Sequence, residues 1–166
     1  MSGPELIRRP ARAGLRLAAA LSFLAPLLTR LVMGQAFYFT GRGKLANFDN
    51  TVAFFTDLGI PMPHANAAFV ARLEYYGGML LIAGLLTRIV ALLLSSTMAV
   101  ALLTADRQTF VQALTGAGEA GLTDVVPFVY LLFLVWLVLF GPGPLSLDHL
   151  LARWLQPRGE PTAAAA

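Results

Sequence analysis

Apolar positions along the chain fall into four long runs separated by short polar stretches, and this alternation predicts the elements. Leu17 to Phe39 is almost continuously apolar, a bilayer-crossing length of roughly 20 residues or more. Pro26 interrupts it and predicts a mild kink. Further apolar runs predict helices at about 66–86, 89–105 and 123–140. The second and third are joined so tightly at Thr87 and Arg88 that they form an antiparallel hairpin. Between the first two runs, Leu45, Phe48, Val52, Phe55 and Leu58 recur at helical spacing, which predicts an amphipathic surface helix from near Asp49. Gly59, Ile60 and Pro61 end it. Asp106 to Gly121 reads as a polar, glycine-containing connection with a weakly amphipathic piece at Phe110, Val111 and Leu114. After Gly141-Pro-Gly-Pro144, Ser146 is placed to cap a last helix that carries Leu147, Leu150, Leu151, Trp154 and Leu155 on one face, as an interfacial helix does. The expected fold is all-α: an integral membrane four-helix bundle with a surface helix after helix one and a C-terminal interfacial helix. Residues 1–156 form one domain and 157–166 a disordered tail.

Composition supports lipid as the solvent. Hydrophobic residues make up 57% and charged residues 13% of 166, with a mean hydropathy of +0.70, where soluble domains carry about 25% charge. The net charge of +3 forms no basic stripe with interleaved aromatics, so nucleic acid is not an expected partner. Arg8, Arg9, Arg12, Arg16, Arg88, Arg153 and Arg158 gather on one side of a four-crossing topology. Asp49, Asp57, Asp106, Glu119 and Asp124 gather on the other, with Arg42, Lys44 and Arg107. Both termini are then cytoplasmic. A cleaved signal peptide is disfavoured, because no cleavage site is followed by a polar mature region. The chain has no cysteine, which excludes a dithiol relay or thiolate nucleophile of its own.

Ionisable residues inside apolar runs are the candidates for chemistry. Arg30 in helix one and Glu74 in helix two are expected at a shared depth, both flanked by glycines, and so to form an ion pair within the bundle. Two readings stand for the pair. It fixes helix register, or it lines a cavity and binds a polar headgroup such as a quinone carbonyl. Lys44 is placed to reach Glu74 from above, and Tyr75 stands beside it. Arg72 is expected to snorkel outward. His64 and His149 fall on opposite sides of the bilayer, so no metal site is expected from them.

The segments LLTRLVMGQAFYFTGRGKL, FFTDLGIPMP, LEYYGGMLLIAGLLTRIVALLL and LFGPGPLSLDHLL, taken in order, resemble the successive signatures of the DoxX family of small bacterial membrane proteins. Arg30, Gly34, Gly41, Lys44, Glu74, Gly78, Gly84, Thr87, Arg88, Gly141, Ser146 and Asp148 match its recurring positions. The resemblance implies an inner-membrane four-helix bundle connected with respiratory or detoxifying redox chemistry. It carries no settled catalytic residues, so Arg30, Lys44, Glu74 and Tyr75 are the ligand-site candidates on physical grounds.

Three functions follow as expectations. The first is a quinone- or quinol-interacting subunit of a redox or oxidative-stress system, acting with a redox protein partner and with quinone as its cofactor. The second is a non-catalytic membrane scaffold. The third is a carrier of small aromatic compounds, disfavoured because the chain has no internal repeat. The lipid bilayer is the other expected partner, and a homo-oligomer is compatible with the same surface.

Overall fold

The computed structural model describes residues 14–16 and 18–155, and these are helical with no strand. The N-terminal arginines Arg8, Arg9 and Arg12 and the expected tail at 157–166 lie outside the described residues. The helices are α1 (Leu24–Ala46), α2 (Phe48–Asp57), α3 (Pro63–Ala83), α4 (Thr87–Leu103), α5 (Arg107–Thr115), α6 (Val126–Phe140) and α7 (Leu147–Leu155), with a 3₁₀ turn at Leu122–Asp124. α1 packs on α3 and α4 on α6, while α3–α4 and α1–α6 contacts close the arrangement. Its core is Met33, Phe37, Leu81, Val90, Ala91, Leu94, Leu134 and Leu137.

Helix one differs from expectation at both ends. Its helical path is broken by a turn at Ser22 and Phe23, four residues before Pro26, where the proline ring meets the carbonyl of residue 22. It then runs on through Gly41 and Gly43 to Ala46 instead of stopping near Phe39. The Gly-Arg-Gly segment is therefore helix, because Gly41 is buried against α3 and needs no turn to satisfy its backbone. The stretch Gly14–Ala46 is long and apolar enough to cross a membrane. α4 and α6, at 17 and 15 residues, reach about 26 and 23 Å at 1.5 Å per residue. The polar connection after α4 holds a helix of its own, α5, bent by 80° from α4.

Several local signals act as the sequence predicts. Gly59 takes φ +69°, and the N–H groups of Gly59 and Ile60 donate back to Thr56 and Phe55 at 2.9 and 3.0 Å, closing α2 in a Schellman-type ending. Ser146 caps α7 by accepting from the His149 N–H at 3.1 Å.

Glycines set the register between α1 and α3. A Cβ on Gly34 would lie 2.8 Å from the Gly78 carbonyl oxygen, and one on Gly78 would collide with the Tyr38 backbone. A Cβ on Gly41 would meet the backbone of Glu74 and Tyr75. In lipid, where no hydrophobic force draws helices together, such backbone approach is a main source of association.

Candidate functional site

Glu74 is paired with Lys44, and this corrects the expected Arg30–Glu74 pair. Lys44 Nζ lies 2.5 Å from Glu74 Oε1, with the two side chains 31% and 2% exposed. It is the one ion pair among the described residues. Because α1 continues to Ala46, Arg30 and Lys44 sit about 21 Å apart along its axis. The antiparallel register then puts Arg30 opposite Gly84 and puts Glu74 opposite Gly41. Gly41 lies one turn before Lys44, so the close approach it permits is what brings the ammonium onto the carboxylate.

The pair stands in the wall of a cavity of about 460 Å³ formed by the end of α1, α2 and its closing turn, the first half of α3 and the last half of α4. Phe54, Phe55, Phe69, Val70, Met98 and Val100 supply apolar wall. The hydroxyls of Ser96, Thr97 and Thr104 also line it, but each donates to a carbonyl of its own helix. Glu74 Oε2 is buried without a hydrogen-bond partner, and a lysine ammonium has three N–H donors, of which Glu74 takes one. Free ammonium donors held by a buried carboxylate in a largely apolar wall suit a ligand that offers an acceptor.

Tyr75 is not part of that wall. It stacks on Tyr38 with ring centroids 5.2 Å apart and meets Tyr76 edge-on at 5.1 Å, forming an aromatic group on another face of α3.

Arg30 belongs to a second cluster at the far end of α1. It is 1% exposed, donates to the Leu145 carbonyl at 2.5 Å, and occupies the space that a side chain at Gly84 would fill. Asp148 organises this end. Its carboxylate accepts from the N–H groups of Leu86 and Thr87 at 2.7 and 2.9 Å, and its own N–H donates to the Gly84 carbonyl at 2.9 Å. A carboxylate at the start of α4 satisfies otherwise orphaned donors and complements the helix dipole. It also holds Leu86 at φ +51°, a left-handed conformation costing roughly 1–2 kcal/mol for a residue with a Cβ. In the sequence, Asp148 is marked by its match to the recurring positions of the family resemblance and by its place two residues after the Ser146 cap, and neither names its partners.

His64 packs edge-on against Phe48 at the start of α3, and His149 lies in α7, remote from it in the chain. Among the described residues, no group of three or more His, Cys, Asp or Glu is gathered to hold a metal.

These features define an all-helical protein with a helix long and apolar enough to cross a membrane and a charged pair set into a largely apolar cavity. A family model for DoxX matches residues 25–107, and the chain belongs to the DoxX family. That segment contains Arg30, Lys44 and Glu74, while Ser146 and Asp148 lie beyond it. The chain is also similar to a Bacillus subtilis (strain 168) protein named "Putative oxidoreductase CatD", 35% identical over 81 residues. The match spans 49% of this chain and 59% of that relative's length. No solved structure matches.

Proposed function

We propose that the protein is a quinone- or quinol-interacting membrane subunit of a redox or oxidative-stress system, with the ring held at Lys44 and Glu74. One observation carries this reading: a buried carboxylate holds a part-exposed ammonium in the wall of a largely apolar cavity. A ring carbonyl accepts from the Lys44 ammonium, which Glu74 holds in place. A volume of about 460 Å³ falls within the roughly 300–1,000 Å³ usual for small-molecule sites. The name of the Bacillus relative points in the same direction. The cysteine-free chain has no dithiol to receive electrons, so a partner redox protein supplies or removes them. Arg30 and Tyr75 act here as structural residues, the first joining α1 to the segment before α7 and the second packing α1 on α3.

The test is quinone retention by protein extracted with native lipid into nanodiscs. The wild type should retain close to one quinone per chain. The Lys44→Met, Glu74→Gln double variant, which removes both charges together and strands neither, should retain about tenfold less, corresponding to about 1.4 kcal/mol. Equal retention by both proteins, or none by the wild type, would sink the reading.

The same proposal includes four crossings of the bacterial inner membrane by α1, α3, α4 and α6, with α2 and α7 at its two surfaces and both termini in the cytoplasm. Exposed Leu28, Val32, Met79, Ile82, Leu92, Leu132 and Leu139 support lipid contact for each of the four, since soluble surfaces rarely gather such residues. A C-terminal fusion to an enzyme active only outside the cytoplasm should be silent, and a fusion after Gly116 should be active. Strong activity at the C-terminus would overturn the topology.

A further inference from the structure

Of the 12 lysine and arginine residues in the chain, Lys44 alone is lysine, and it is the one whose ammonium meets a buried carboxylate in the cavity wall. Arginine would serve an ion pair at least as well, with a planar fork that binds carboxylate in two places and no proton to lose. What lysine adds is an amine that can surrender its proton and act as a nucleophile toward carbonyl carbon. We infer that Lys44 is a carbonyl-capturing amine that forms a reversible imine with an apolar aldehyde entering the cavity, with Glu74 handling the protons. The inference goes beyond the quinone reading and does not rest on it, because the bond is covalent and needs no electron partner.

The surroundings supply each requirement. The apolar wall from α2, α3 and α4 selects an aldehyde with a hydrocarbon body. Glu74 Oε1 is 2.5 Å from Nζ, within reach for proton transfer, and its second oxygen has no other partner. In the proposed sequence Nζ first passes a proton to Glu74, so that an uncharged amine meets the carbonyl beside an uncharged acid.

The steps balance without an oxidant or reductant. The Nζ lone pair forms a bond to the carbonyl carbon as the carbonyl π bond breaks toward oxygen. A proton released by nitrogen passes to that oxygen, giving the carbinolamine. The C–O bond then breaks, water leaves with a proton from the Glu74 acid, and the nitrogen lone pair completes the C=N⁺ bond. The products are a protonated imine, one water and the Glu74 carboxylate, which remains as the counter-ion. Hydrolysis reverses the sequence.

The experiment treats the full chain in lipid nanodiscs with trans-cinnamaldehyde and sodium cyanoborohydride, which fixes an imine as a stable amine, and follows labelling by peptide mass. The N-terminal amine is an internal reference on the same molecule. Lys44 should be labelled about tenfold faster than that reference, as proximity and a neighbouring acid predict. The preference should disappear with glyceraldehyde, whose hydroxyls oppose entry. Ala101→Trp, which fills the cavity, should abolish Lys44 labelling and leave N-terminal labelling unchanged. Labelling of Lys44 no faster than the N-terminus, or equally fast with both aldehydes, overturns the inference from the wild type alone, whatever the folding of the variant.

Discussion

Gly78→Ala should destabilise the protein by about 1–3 kcal/mol, and Gly78→Leu should prevent it from accumulating in the membrane. The added Cβ would lie 2.6 Å from the Gly34 carbonyl oxygen and closer still to the Tyr38 backbone. Both neighbours are main chain, so no rotamer change relieves the clash, and α1 and α3 must move apart. Overpacking of this kind costs about 1–3 kcal/mol in a well-packed interior. The loss here extends beyond the single site, because the Lys44–Glu74 pair and the Arg30 cluster both depend on the same register. Gly43→Ala is the matched control. A Cβ there meets nothing within 4 Å, and replacing an exposed helical glycine by alanine stabilises by roughly 1 kcal/mol. The two substitutions should shift the unfolding midpoint in detergent in opposite directions. A shift in the same direction would show that α1–α3 contact does not set stability.

Asp148→Ala should cost about 2–4 kcal/mol and release α7 from the rest of the protein. Its carboxylate receives two backbone donors at the start of α4, and hydrogen bonds to charged groups are each worth about 1.5–3 kcal/mol. Removing it strands both donors and leaves the left-handed Leu86 without its hydrogen bond to Asp148. Asp148→Asn keeps one acceptor oxygen and should lose about half as much. Limited proteolysis checks the local part of the prediction. Cleavage between Gly141 and Leu147 should accelerate in the alanine variant while α1 stays protected. An unchanged cleavage rate together with an unchanged midpoint would remove Asp148 from its organising role.

The far end of the molecule is a place where sequence reasoning met its limit. Asp148 is a charged residue in a short amphipathic helix, and the bland interpretation of such a residue is a solvated face. Nothing in local spacing says that residue 148 supplies the acceptor for donors at residues 86 and 87. The same limit applies to Arg30. Its burial was legible, since a cation in an apolar run must be enclosed or paired. Its partner, a carbonyl at residue 145, carries no sequence signature at all.

The Lys44–Glu74 contact shows a subtler failure. Lys44 was legible as a residue able to reach Glu74. The preference for Arg30 came from ending helix one near Phe39, at the first polar cluster. Glycine in a Gly-Arg-Gly segment normally signals a turn, and only the backbone of α3 lying against Gly41 explains why it is helix. Because α1 runs on to Ala46, about 10 Å beyond Phe39 at 1.5 Å per residue, Arg30 lies deeper than Glu74.

By itself, the sequence determined the all-helical class, the four apolar runs, the glycine stop after α2, the Ser146 cap, the absence of thiol chemistry and the choice of Glu74 as the residue to explain. These follow from local periodicity, backbone conformational freedom and side-chain chemistry, all of which act over a few neighbouring positions. Tertiary structure decided which cation meets Glu74, that Tyr75 stands outside the cavity, that α2 and α4 enclose it, and that Asp148 ties the last helix to the α3–α4 turn. Those outcomes depend on the register between α1 and α3 and on contacts between residues 30 to 115 positions apart. The physical reason is that register is set by how closely two backbones can approach, and that distance is a property of the pair of helices.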